Sequence, residues 1–133
     1  MTKTLKIFFR VAFYVYLIAI AVLCFGNFSS LPEVSKTILG IPTDKVVHFC
    51  MFFPFPILAF LAYDKLTGDA KSVIVFALVT LLIGCLIAAG TELGQALLTE
   101  HRSGDPLDFL ADFIALLTGS LIATWIDLRQ LRK

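Results

Sequence analysis

Four long apolar runs dominate the chain and limit what it can fold into. They are Ile7–Phe28, Val46–Tyr63, Val73–Leu98 and Leu107–Ile126. Each approaches the roughly 20 residues that carry a helix across the hydrocarbon core of a bilayer. Only 16% of the 133 residues are charged, against about 25% in an ordinary soluble domain. A soluble bundle this small needs polar outer faces on its helices, and these runs do not supply them. The expected fold is therefore all-α: a single four-helix transmembrane bundle over residues 1–133, with no separate soluble domain, repeat or low-complexity linker.

Lys3, Lys6 and Arg10 precede or open the first run, as they would in a signal peptide. Its apolar core is long for that role, however, and no small-x-small cleavage site follows. Leu23 before Cys24 also argues against a lipoprotein site. The run is read as a membrane helix. Cys24, Cys50 and Cys85 lie inside apolar runs at no metal-like spacing, so they read as small apolar fillers. No metal or cofactor is expected from these spacings. The net charge of +1 gives no reason to expect nucleic acid.

Basic residues set the expected orientation. Lys3, Lys6, Arg10, Lys65, Lys71, Arg129, Arg132 and Lys133 fall on one side of a four-span chain; Lys36, Lys45 and Arg102 fall on the other. The richer side is expected to be cytoplasmic, with both termini inside, Tyr63 and Trp125 as interfacial anchors, and Arg10 reaching back to the inner surface. The unusual polar residues then collect on the outer side.

Helix three carries Gly84, Ala88, Glu92 and Gln95 at spacings that share one face. Gly90 and Gly94 form a GxxxG pair on a neighbouring stripe, a weak signal that reads first as helix packing. Glu92 lies near the outer edge of the hydrocarbon. Two readings stand: a carboxylate reaching interfacial water, or one turned inward to a partner, with Arg102, Lys45 and His48 the cations available to the carboxylates.

Helix four opens with "SGDPLDFLADF". Asp105 suits the N-cap and Pro106 the first helical position. Capping and the helix dipole account for part of Asp108. They do not account for Asp112, which is four residues further on and followed along its stripe by Ala115, Gly119 and Ala123. Helix two opens with "TDKVVHF", where Asp44 is a second possible cap, Lys45 a surface-seeking cation, and His48 lies one turn beyond Asp44. Pro54 and Pro56 are expected to kink or break this helix. Asp44, Lys45, His48, Glu92, Gln95, Arg102, Asp108 and Asp112 are thus expected to converge on one outward-facing polar pocket. Ionisable groups at such depth mark functional sites by default.

Over roughly Asp44 to Ala123 the chain resembles the VanZ-like family of small bacterial membrane proteins. The elements of the resemblance are Asp44-Lys45-x-x-His48, then Glu92 with Gln95, then Arg102, then Asp108 with Asp112. The family commonly has Asn where Asp112 stands and Gly where Ala115 stands. The resemblance implies a multi-pass protein of the bacterial plasma membrane; the family's namesake is linked to resistance to teicoplanin-type glycopeptide antibiotics.

Three functions compete. In the first, the pocket binds a polar headgroup: a membrane lipid, a lipid-linked cell-wall intermediate or an amphiphilic antibiotic. In the second, the protein is an enzyme acting on such a lipid, with His48 and Asp44 or Asp112 as acid and base and the acids able to hold a divalent cation. No nucleophile elbow or phosphate-cradling glycine loop supports it. In the third, the chain is a dimeric multidrug transporter, although a carrier places its key acid near the midplane. Some form of oligomer is compatible with all three.

Overall fold

The computed structural model describes residues 1–27, 32, 35–100 and 104–133. Helix α1 spans Lys3–Phe25, and its first turn is closed by the Thr2 hydroxyl, which accepts from the Leu5 N–H. It begins at Lys3 rather than Ile7 because Lys and Arg are good helix formers, so the loss of hydropathy does not mark the helix end. Phe28, the expected end of the first run, lies outside the described residues.

A two-stranded antiparallel hairpin follows, β1 (Thr37–Ile38) and β2 (Ile41–Pro42). Leu39 and Gly40 form its tip with φ of 51° and 80°. Positive φ at both central residues is the geometry of the tightest hairpin turn, which glycine adopts freely and leucine does not. Leu39 is 98% exposed. The Thr43 N–H donates to the Lys36 carbonyl at 3.0 Å and its hydroxyl to the Ser35 carbonyl, fixing the hairpin on the next helix.

The second run forms α2 (Thr43–Phe52) and α3 (Pro54–Ala62), separated only by Phe53, which keeps helical angles. Pro54 and Pro56 lack the amide hydrogens that would bond the Cys50 and Phe52 carbonyls, so the ladder is interrupted while the direction is roughly kept. Beside the break, the Tyr16 hydroxyl of α1 donates to the Met51 carbonyl. Helix α4 (Ala70–Leu98) starts in a reciprocal cap between Asp69 and Ser72. Helix α5 (Pro106–Leu131) starts at Asp105.

The α1, α2–α3, α4 and α5 segments are each long and apolar enough to cross a membrane. Many large apolar side chains point outward, among them Ile18, Leu82, Leu86 and Leu121. The interior is narrow and aromatic, with Phe13, Phe52, Phe55 and Leu116 at its centre. Small residues permit the close approaches. A Cβ on Gly119 would lie 2.6 Å from the Phe53 carbonyl oxygen and 2.7 Å from Pro56, and one on Gly84 would lie 2.6 Å from Leu116. The GxxxG pair is not one contact: Gly94 faces Phe25, whereas Gly90 faces open space.

The two ends of the bundle differ. At one, Lys6 pairs with Asp64 at 3.2 Å, Arg10 donates to the Ala62 carbonyl at 3.1 Å, and Tyr14 and Tyr63 share a hydroxyl hydrogen bond of 2.7 Å. The other end gathers the hairpin, the start of α2, the end of α4 and the start of α5. Here α1 and α2 stand slightly apart, leaving an apolar cleft lined by Tyr16, Ile20, Leu23, Val47, Cys50 and Met51.

Candidate functional site

The second end holds the polar cluster. Lys45, on the first turn of α2, is the hub of one half. Its ammonium donates to Asp44 at 2.8 Å, to Asp105 at 2.6 Å and to Asp108. Asp105 also accepts from the Leu107 N–H at 2.8 Å, so the residue that starts α5 ties it to α2 as well. The hydrogen bond from Lys45 holds the Asp105 carboxyl below the usual carboxylate range, since a neighbouring cation favours the charged form.

His48, one turn into α2 and 5% exposed, is the hub of the other half. Its Nδ1 lies 3.0 Å from Asp112 Oδ1 and 3.6 Å from Glu92 Oε1, while Nε2 lies 3.6 Å from Asp108 Oδ2. Asp112 is wholly buried and Glu92 and Asp108 are each 8% exposed. The carboxylates reach the imidazole from two helices because Glu92 lies on the α4 stripe continued by Gly84 and Ala88, and Asp112 on the α5 stripe continued by Ala115 and Gly119. Every residue of both stripes is buried.

Glu92 has a second task. Its Oε2 accepts from the Asp105 N–H at 2.9 Å, closing the end of α4 on the start of α5. Gly104 makes this possible: a Cβ there would lie 2.7 Å from the Glu92 carbonyl oxygen. Among the described residues, Oε1 of Glu92 and Oδ2 of Asp112 are buried without a hydrogen-bond partner.

Six of the eight sequence-expected residues thus meet at one end: Asp44, Lys45, His48, Glu92, Asp108 and Asp112. Asp44 is the most exposed of them and joins through Lys45, not as a cap. Gln95 is 2% exposed, but its amide donates to the Cys24 carbonyl at 2.9 Å, so it faces the last turn of α1. Arg102 lies outside the described residues. Asp105, expected only as a cap, is a full member of the cluster, and its i, i+3 spacing to Asp108 is the signal that could have placed it there.

Among the described residues, two groups of side chains bring three possible metal donors together: Asp44 with Asp105 and Asp108, and His48 with Glu92 and Asp108, the donor atoms of each group lying within 4.8 Å of one another. The first group surrounds the Lys45 ammonium, which already supplies its positive charge. Chemically, the cluster offers hydrogen-bond acceptors, a buried imidazole able to exchange a proton with Asp112, and a cation-holding donor set. Beside it runs an apolar groove between the hairpin, α2 and α5, lined by Ile38, Leu39, Ile41, Phe49 and Ile114, with Lys45 at its polar edge.

The fold and this cluster define an all-helical protein with four membrane-length helices and a polar centre at one end. Comparison with protein-family models, curated proteins and solved structures found no match to the chain.

Proposed function

We propose that the chain is a multi-pass protein of the bacterial plasma membrane, both termini cytoplasmic, that binds the head of an amphiphile at its outer end. The observation that carries this reading is the apolar groove meeting the ionic cluster at Lys45. An aliphatic tail and a polar head would find matching surfaces side by side there. The Lys45 ammonium is already shared among three carboxylates, so an anionic head would have to displace them. The excess of acceptors favours a head rich in donors, such as an amino, hydroxyl or sugar group of a membrane lipid or lipid-linked cell-wall intermediate. Membership of the VanZ-like family, with its link to glycopeptide resistance, belongs to the same proposal.

The test is photo-crosslinking of purified protein with a diazirine-tailed lipid bearing an amino-sugar head. Filling the groove by Ala111→Trp should abolish crosslinking while the protein still folds. Equal crosslinking in the variant and the parent would remove the groove from the reading.

A second reading, a membrane enzyme acting on such a lipid, draws on the His48–Asp112 hydrogen bond. A buried imidazole oriented by a carboxylate is the arrangement used for proton transfer. Turnover of a radiolabelled lipid by wild type but not by His48→Gln would favour it over binding alone.

A further inference from the structure

We infer that His48, Glu92 and Asp108 form a binding site for one first-row divalent cation, Zn²⁺ or Mn²⁺ being the best matches to one imidazole and two carboxylates. The inference rests on the polar centre proposed above as a headgroup site and adds to it a cation that the head would meet.

Three observations carry it. The donor atoms of these residues lie within 4.8 Å of one another, and all three residues are buried. Bound at the usual metal–ligand lengths of about 2.0–2.2 Å, a cation would draw them together by small side-chain movements. Next, Glu92 Oε1 is a buried oxygen with no hydrogen-bond partner among the described residues, and it lies 3.6 Å from His48 Nδ1. A buried carboxylate oxygen left unpaired is costly; coordination would satisfy it. Finally, Asp112 holds His48 from behind. In the tautomer that puts the ring hydrogen on Nδ1, facing Asp112 Oδ1 at 3.0 Å, the lone pair of Nε2 faces Asp108 Oδ2 at 3.6 Å. A bound cation would sit between these two atoms and satisfy both. A carboxylate fixing the far nitrogen of a histidine is also the usual support of a metal-bound imidazole.

The ligand atoms come from three helices, so the cation would join α2, α4 and α5. Three protein donors leave coordination positions open, and those positions are where a hydroxyl, amino or phosphate group of a bound head would add its own atom. The Asp44, Asp105 and Asp108 group takes no ion in this scheme because the Lys45 ammonium fills it.

The test uses the full-length protein in detergent, stripped with EDTA and re-equilibrated with ZnCl₂ or MnCl₂. Elemental analysis after dialysis should find about one ion per chain. Glu92→Gln should weaken binding at least about ten-fold, and Asp112→Asn by about ten- to a hundred-fold. Nitrogen coupling in the Mn²⁺ electron-spin-echo spectrum reads the contact directly in the wild-type protein, so the result does not hang on whether a variant folds. The chain has two histidines; coupling should persist in His101→Gln and vanish in His48→Gln. No stoichiometric ion, or a bound ion without nitrogen coupling in the wild type, overturns the inference, as does coupling that survives His48→Gln. Crosslinking of the lipid probe, run on the ion-loaded protein and again in EDTA, is the separate measurement of headgroup binding. Capture by a protein that takes up no stoichiometric ion sinks the cation site alone, whereas an ion bound through His48 with no capture by the loaded protein sinks the headgroup reading alone.

Discussion

His48 and Asp112 lie sixty-four residues apart in the chain and meet across 3.0 Å inside the bundle, joining α2 to α5. Asp112 is completely buried, so its charge depends on that partner. His48→Leu leaves the carboxylate buried and unpaired, and such a loss costs about 3–5 kcal/mol. Removing both groups in His48→Leu with Asp112→Ala should return more than half of that. Guanidinium or thermal unfolding in detergent measures both. A single variant as stable as the parent would mean that the pair contributes nothing to folding.

The glycines make a second, ordered prediction. Gly119→Ala drives a methyl against the Phe53 carbonyl and Pro56, where backbone must move. Such overpacking costs about 1–3 kcal/mol. Gly90→Ala meets open space and should be neutral, or stabilising by up to about 1 kcal/mol through helix propensity. The opposite order would contradict the close approach of Gly119 to Phe53 and Pro56.

Orientation is tested by cysteine accessibility in intact cells, with Cys24, Cys50 and Cys85 replaced by alanine. Lys36→Cys, beside the hairpin, should react with an impermeant maleimide. Lys71→Cys, at the start of α4, should be protected until the membrane is permeabilised. The reverse pattern would turn the bundle over and place the polar cluster on the cytoplasmic side.

Asp105 gives a pH prediction. Its folded-state carboxyl titrates below the unfolded value because Lys45 donates to it. A lowered value contributes stability above the unfolded carboxylate range of about 3.9, and that stability is lost as pH falls through the lower folded value. Wild type should therefore be more stable than Asp105→Asn at neutral pH, and the gap should close in acid below about pH 3.9. A gap that widens on acidification would reverse the sign of the coupling.

The membrane-length helices were legible because hydropathy is a local property of each segment. The site was legible in part for the same reason: Glu92 and Asp112 stand on stripes of small residues, and that periodicity points them inward without knowledge of their partners. Long-range matches were not legible. Gln95 shares the Glu92 stripe but turns to the Cys24 carbonyl, a choice settled by where α1 ends. The Tyr16 bond to Met51 depends on how α1 lies against the broken helix. Asp105 showed its capping role because that is encoded within three residues, while its bond to Lys45 spans sixty. The helices run past the apolar runs to Lys3 and Leu131 because charged residues continue a helix after hydropathy falls.

The cleft between α1 and α2 has a consequence for the protein's surroundings. Its walls are almost wholly apolar. In a bilayer, acyl chains would complete that wall, making lipid a structural component of the fold on this side. Chain length and unsaturation would then tune how tightly α1 closes on α2, and the protein's rigidity would become a property of the membrane it lives in as much as of its own sequence.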